Sequence, residues 1–151
     1  MQAQPLSMRR PAALLLAAVL LSGCQTLGTD GLVASSAPAE LSAPAASAVA
    51  GDLVPRFAEQ IGPGTATIVL KPDSSVFGSA LETSLRTWGY AVTTEQDAKD
   101  PKAIRVAYVL VPTDSQMLAR LSTGSLEIGR IYTMTQTGAA PASPVSVMTR
   151  S

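Results

Sequence analysis

The chain contains no histidine and a single cysteine, Cys24, which excludes several kinds of reactive site. Without histidine there can be neither a Ser-His-Asp triad nor a histidine-ligated metal. With one cysteine there can be no intramolecular disulfide. Asp97 and Asp100 are the nearest pair of carboxylates, but a charged loop rather than a cleft is predicted there. We therefore predict a protein that is not an enzyme and that holds no metal or non-covalent cofactor.

Aromatic residues and basic clusters are also scarce. The sequence has one tryptophan, three tyrosines and two phenylalanines, with eleven basic and eleven acidic side chains. Proteins that bind nucleic acid ordinarily concentrate lysine and arginine on one surface, and no such cluster is visible. We expect no direct contact with nucleic acid.

An apolar run near the start, Ala12 to Leu21, is about half the ~20 residues that a membrane-spanning helix requires. It follows Arg9-Arg10 and is followed by the small residues Ser22 and Gly23. A basic start, a short apolar run and small residues before a cleavage point are the parts of an export signal. We predict that residues 1–23 form a signal peptide, starting at Met1 or Met8.

The end of this signal, Leu21-Ser22-Gly23-Cys24, resembles the lipobox of bacterial lipoproteins. The resemblance implies that Leu21, Ser22 and Gly23 are recognised by the signal peptidase and that Cys24 carries covalent lipid such as palmitate. Each buried CH₂ of a lipid chain contributes roughly 0.8 kcal/mol, so two or three chains anchor a protein permanently. Gln25 stands where an aspartate would resemble an inner-membrane retention signal, which implies the periplasmic face of the outer membrane. An ordinary secretory signal with a chance cysteine is the alternative.

Stretches of small residues flank the predicted folded region. Residues 24–42 cannot bury enough apolar surface to offset the entropy of ordering, so we predict a flexible tether. At roughly 5–6 Å × √n its mean span is about 25 Å, which keeps the domain near the membrane. Residues 138–151 are predicted to be an extended tail. Within it, Val145-Ser146-Val147-Met148 alternates like a strand that pairs with a partner's sheet edge, and a frayed terminus is the alternative.

Residues 43–137 are predicted to form one domain that begins with a helix. Its apolar positions recur every four residues, at Val49, Leu53, Phe57 and Ile61. Pro55 interrupts this pattern, and we expect it in the first turn of a short helix capped by Asp52. A second helix should begin after Ser74 or Ser75 and end at Gly89, with Trp88 in the core.

Strand-like segments occupy the rest of the domain. They are rich in β-branched and apolar residues or alternate with a period of two, at 65–70, 90–94, 104–111, 116–122 and 126–135. Short turns join the last three, which predicts an antiparallel meander. The order of elements predicts an α+β fold, with two helices packed on one face of a mostly antiparallel sheet.

Five residues of the predicted domain and tail are candidates for an interface with a partner. They are Arg120, Arg130, Tyr132, Val145 and Val147. The two arginines occupy neighbouring predicted strands, and we expect them to form ion pairs with Glu127. A solvated sheet face is the alternative to a recognition surface.

Several stretches of the sequence carry a resemblance to one family. They are Gly62 to Leu70, Ala80-Leu81-Glu82 with Trp88 to Val92, Leu118 to Thr123, and Gly138 to Met148. Together with the lipobox, they resemble the TrbH conjugal transfer lipoproteins over most of the mature chain. Pro55 departs from the family pattern.

The resemblance implies a part in mating-pair formation, the type IV secretion apparatus that moves plasmid DNA between bacteria. It implies a structural lipoprotein, present in multiple copies, that fixes the core complex to the outer-membrane lipid leaflet. The implied partners are the ring-forming core proteins of that complex. Larger lipoproteins of this group carry an α+β domain resembling the N0 domain of secretins, with which the order of segments is compatible. The alternative is a periplasmic lipoprotein that binds an envelope polymer, peptidoglycan or a small ligand.

Overall fold

The computed structural model describes residues 34–64, 66–94 and 99–151. The predicted signal peptide with Leu21, Ser22 and Gly23, the predicted lipid site Cys24 and the sorting residue Gln25 lie outside the described residues. Within the described ranges, no helix has both the length and the apolar character needed to cross a membrane.

Two helices and seven strands make up the described part of the chain. They are α1 Ala43–Ile61, β1 Thr67–Leu70, α2 Val76–Thr87, β2 Ala91–Thr93, β3 Ile104–Thr113, β4 Gln116–Ser122, β5 Leu126–Thr135, β6 Gly138–Pro141 and β7 Ser146–Thr149. All strands belong to one sheet in the order β2-β1-β3-β4-β5-β6, and β7 also pairs with β5. β1 runs parallel to β2 and β3, and the other pairs are antiparallel. The predicted α+β fold on a mostly antiparallel sheet is confirmed.

Helix α1 begins earlier than predicted. The side chain of Ser42 caps it by accepting a hydrogen bond from the Ala45 N–H at 3.3 Å. One apolar face then continues along most of the helix and is buried against the sheet and α2. Its members are Ala45, Ala46, Val49, Ala50, Leu53, Val54, Phe57 and Ala58. Burial of this continuous face stabilises a single long helix.

Pro55 therefore lies inside α1, and the prediction that Asp52 caps a shorter helix is wrong. An interior proline removes one backbone hydrogen bond and crowds the carbonyl four residues earlier, at a cost of about 3 kcal/mol. Here that earlier residue is Gly51, which is exposed, so water can solvate its carbonyl. The apolar face on both sides of Pro55 offsets the remaining cost.

Helix α2 follows Ser75, as predicted, and the chain turns at Gly89 with φ +91°. Its buried face consists of Phe77, Gly78, Leu81 and Leu85. Trp88 is 43% exposed, so the prediction that it belongs to the core is wrong. Trp88 is the C-cap residue, where the chain has left helical geometry and the stripe no longer faces the sheet.

The sheet has one face that contributes to the core and one that does not meet a helix in the described part of the chain. The core face alternates along β3, β4 and β5, as the period of two predicts. Its buried members are Val106, Tyr108, Leu110, Met117, Ala119, Leu121, Leu126, Ile128 and Tyr132. Opposite them lie Val109, Arg120 and Glu127, on a surface that we call the outer face.

Residues 34–42, which were predicted as the last part of the tether, contact the sheet. Ser36 forms a parallel bridge with Val109. Its N–H donates to the Tyr108 carbonyl and its own carbonyl accepts from the Leu110 N–H, both at 2.9 Å. Leu41 is buried in the core. In this structure the chain therefore joins the domain near residue 35.

The predicted tail is also part of the sheet. β6 and β7 both pair with β5, in registers that place Pro141 opposite Tyr132 and Ser146 opposite Gly129. The segment expected to pair with a partner's sheet edge thus pairs first with its own domain. This correction follows from β5, whose ten residues leave a full edge to be covered.

Candidate interaction surface

The N-terminal segment is fixed by a polar cluster that we call the Asp73 clamp: Asp73, Ser75 and Tyr108. Tyr108 Oη donates to Asp73 Oδ1 at 2.6 Å and accepts from the Asp73 N–H at 2.8 Å. Asp73 Oδ2 accepts from the Ala37 N–H at 2.8 Å, which ties the segment before α1 to the loop before α2. The Ser75 N–H and hydroxyl both donate to Oδ1.

Burial and hydrogen bonding perturb both titratable groups of the clamp. Burial raises the pKa of Asp73, but the hydrogen bonds from Ser75, Tyr108 and Ala37 outweigh it, so the pKa is lowered overall. Burial and the hydrogen bond to Asp73 raise the pKa of Tyr108 to about 12. Gly78 allows this approach, because a Cβ there would lie 2.7 Å from Tyr108 Oη. The clamp is an ionised aspartate held by neutral donors.

The C-terminal segment is fixed by a second cluster, the Arg130 junction: Asp52, Arg130, Tyr132 and the Ser143 carbonyl. Arg130 Nη1 donates to Asp52 Oδ1 at 3.0 Å and Oδ2 at 2.9 Å, and Tyr132 Oη donates to Oδ2 at 2.7 Å. Arg130 Nε donates to the Ser143 carbonyl at 2.7 Å. Burial and the neighbouring Asp52 raise the pKa of Tyr132. One arginine therefore joins α1, β5 and the loop after β6.

That loop is a bulge between β6 and β7. Residues 142–145 lie opposite only Arg130 and Ile131 of β5. The Ala142 N–H donates to the Ile131 carbonyl at 2.8 Å, and Ser143 Oγ accepts from the Ile131 N–H at 3.0 Å. The bulge lets β7 resume pairing with β5 while Arg130 reaches the Ser143 carbonyl.

The outer face carries a shallow groove of about 210 Å³. Its lining comprises Leu118, Arg120, Glu127, Gly129, Arg130, Ile131, Ser143, Pro144, Ser146 and Met148. Glu127 is buried at one end, where Arg150 donates to it at 2.8 Å and Arg120 approaches within 3.5 Å. Met148 lies directly across from Glu127 on β7 and is 52% exposed. The groove thus combines a buried carboxylate that is held by two arginines with exposed apolar side chains.

The structure separates the five candidate interface residues. Arg120 lies on the outer face and Val147 is exposed on β7, whereas Val145 packs partly against the core. Tyr132 is 1% exposed, and Arg130 is engaged inside the domain. The expected ion pair of Arg120 with Glu127 is confirmed. The expected ion pair of Arg130 with Glu127 is wrong. The alternation of side chains along β5 places Arg130 on the core face of the sheet, where it binds Asp52 of α1.

Sequence reasoning missed three of the residues that organise these clusters: Asp52, Asp73 and Arg150. One signal was available for Asp52. Arg130 falls in phase with Ile128 and Tyr132 on the predicted core face, and an arginine there requires an acidic partner. For Arg150 the sequence gives no comparable signal.

Comparison with known proteins identifies the family. The sequence profile described as "Conjugal transfer protein TrbH" matches residues 27–151. The chain belongs to the TrbH family. It is 52% identical over 136 residues to a protein of Sinorhizobium fredii (strain NBRC 101917 / NGR234) named "Probable conjugal transfer protein TrbH", covering 87% of this chain and 91% of that protein. No solved structure matches. The TrbH resemblance predicted from the sequence is thus confirmed.

Proposed function

We propose that this chain is a structural lipoprotein of a conjugative type IV secretion system, which anchors the core complex to the outer membrane through lipid on Cys24. Membership of the TrbH family supports a role in conjugal transfer, together with other proteins of the transfer apparatus. The match over residues 27–151 is the observation that carries the role in conjugal transfer, and the lipobox-like sequence Leu21-Ser22-Gly23-Cys24 is what supports the proposed anchor. We propose no catalytic activity.

The position of the N-terminal segment supports a role close to the membrane. Ser36 is hydrogen-bonded to β3, only twelve residues after Cys24. A fully extended chain spans at most about 3.3–3.6 Å per residue, so the domain lies within roughly 40 Å of a lipid on Cys24. The proposed anchor would therefore hold the domain beside the leaflet.

Replacement of the lipid site tests the anchor. We expect Cys24→Ser to abolish incorporation of labelled palmitate, leave an uncleaved or soluble chain, and abolish plasmid transfer between cells. Ser22→Ala is the matched control, because it keeps a small residue before the cleavage point and should be processed and functional. Normal transfer by a Cys24→Ser chain that is absent from membranes would contradict the proposal.

The proposed outer-membrane location depends on the residue after the cysteine. We expect Gln25→Asp to move the lipidated chain to the inner-membrane fraction, with lipid incorporation unchanged. An unchanged outer-membrane fraction would contradict the role assigned to Gln25.

The proposed partners are the ring-forming core proteins of the same apparatus, with several copies of this chain in each assembly. Affinity purification of the lipidated chain from donor cells should retain those core proteins. Retention of peptidoglycan fragments without them would instead support the alternative, a lipoprotein that binds an envelope polymer.

A further inference from the structure

β7 is an open sheet edge. Its four residues are all exposed, and none is charged or a proline. In residues 34–64, 66–94 and 99–151, no strand pairs with the side of β7 that faces away from β5. Natural proteins usually protect such an edge with charges, prolines or a covering segment, because it can pair with another strand.

The backbone groups at this edge can be assigned from one hydrogen bond. The Arg150 N–H donates to the Ser125 carbonyl at 2.8 Å, which makes Arg150 a hydrogen-bonded partner of Ser125. Hydrogen-bonded pairs alternate along an antiparallel ladder, so Met148 also directs its N–H and C=O toward β5. Val147 and Thr149 direct theirs outward, where they are available to a further strand.

The opposite edge of the sheet is protected. β2 has three residues, and the carbonyl of Val92 accepts a hydrogen bond from Arg86 Nη2 at 2.8 Å. A charged side chain that lies against the backbone of a short edge strand hinders strand addition there. Head-to-tail pairing of β7 with β2 of another copy is therefore disfavoured, and β7 is the edge suited to strand pairing.

We propose that β7 pairs antiparallel with β7 of a second copy of this chain, about a two-fold axis at Met148. This inference rests on the proposed function for the high local concentration of copies on one membrane. In this register Val147 of one copy faces Thr149 of the other, so the outward N–H and C=O groups of both residues form hydrogen bonds across the interface. Met148 then faces Met148, and Ser146 faces Arg150.

This register is self-complementary. A two-fold interface brings the same surface of both copies together, so every contact occurs twice. No like charges face each other, because Arg150 lies opposite Ser146 and is already paired with Glu127. The exposed Met148 side chains meet at the axis, where each can cover apolar surface of the other. These features favour a second copy over a charged or unrelated partner strand.

Cysteine cross-linking tests the register in the complete chain in donor-cell envelopes. Facing residues of a non-hydrogen-bonded antiparallel pair have Cα atoms about 4.5 Å apart, within the range of roughly 4.4–6.8 Å for a disulfide. We expect oxidised Met148→Cys to give a disulfide-linked dimer on a non-reducing gel. Ile131→Cys is the matched control, since it lies on the same outer face but one strand away from the edge. The unsubstituted chain measures any background from Cys24.

Proline at the edge provides an independent test of the pairing. Val147→Pro removes an outward N–H but none of the N–H groups directed to β5, and proline is tolerated at such positions. Added to Met148→Cys, it should lower the cross-linked fraction by roughly tenfold or more, because both copies lose a hydrogen bond. Val147→Thr should leave the cross-linked fraction unchanged. Protease resistance of the domain, compared among all variants, verifies that they are folded.

The possible results separate this inference from the proposed function. A Met148→Cys dimer that Val147→Pro abolishes supports β7 pairing. Cross-linking of Ile131→Cys alone, a Met148→Cys adduct with a different protein, or no adduct in folded chains overturns it. None of these results alters the expected loss of lipid and transfer in Cys24→Ser, which tests the anchor separately.

Discussion

The Asp73 clamp and the Arg130 junction each fix one end of the chain to the domain, but they use different hydrogen-bond donors. In each, a buried tyrosine on the core face donates to an aspartate, and the cluster holds one end of the chain through a backbone group. Asp73 accepts its hydrogen bonds from neutral donors, whereas Asp52 accepts two from Arg130. The two ends of the described chain consist mainly of small residues and bury little apolar surface. Polar side chains of the domain can therefore hold them in place, whether or not the aspartate has a cationic partner.

Removal of Arg130 should have the largest effect on stability. Arg130→Ala leaves Asp52 without its cation and frees the Ser143 carbonyl, so we expect a loss of about 3 kcal/mol in urea unfolding. Arg56→Ala is the control, because the exposed Arg56–Glu59 pair should contribute less than about 0.5 kcal/mol. Further replacement of Asp52 by alanine should recover part of the loss, since no buried charge then remains. Equal losses for Arg130→Ala and Arg56→Ala would show that the junction is not a stabilising ion pair.

Removal of the two tyrosine hydroxyls should show which end each cluster holds. We expect Tyr108→Phe and Tyr132→Phe each to lower the free energy of unfolding by about 1–2 kcal/mol, because each removes a hydrogen bond to an aspartate. Hydrogen exchange should distinguish them: Tyr108→Phe should accelerate exchange of the Ala37 amide, and Tyr132→Phe should leave it unchanged. Faster exchange of Ala37 in both variants would mean that the two clusters are not independent.

The smallest expected effect is a dependence on pH that arises from the clamp. The pKa of Asp73 is lower in the folded chain than its ordinary value. The contribution of ionised Asp73 to the free energy of unfolding is therefore complete above its pKa in the unfolded chain, which is about 3.9. This contribution is lost as the pH falls through the pKa of Asp73 in the folded chain. Between pH 5 and pH 3, unfolding free energy should fall more for the original chain than for Asp73→Asn. Parallel pH profiles would contradict an ionised clamp.

The parts of the fold that were predicted correctly are those in which apolar residues recur at every second position of the sequence. β4 and β5 occupy the predicted residues 116–122 and 126–135, because apolar residues recur there at every second position, on the core face, with Arg130 as the exception. The start of α1 was missed because local proline and capping rules were given more weight than a buried face that continues past Pro55. The ends of the chain were missed because their few apolar residues do not indicate the backbone pairing and the clusters that hold them.

The candidate surface was predictable only in part. The ion pair of Arg120 with Glu127 could be predicted, because the two residues lie on neighbouring strands and the alternation places both on the same face. This pair is present. The partners of Asp52 and Asp73 lie 78 and 35 residues away along the chain, so no local pattern connects them. The open side of β7 depends on the sheet order and on one backbone hydrogen bond, which a sequence does not reveal.

The bridge at Ser36 also has a mechanical consequence. A force applied to the chain from its N-terminal side reaches Ser36 and Ala37 before it reaches α1. The hydrogen bonds of Ser36 to β3 and of Ala37 to Asp73 transmit that force to a central strand of the sheet. Under load these few bonds would break first, releasing several residues of slack while the helices and the remaining strands stay assembled. The segment would thus yield before a force from the N-terminal side could reach the helices.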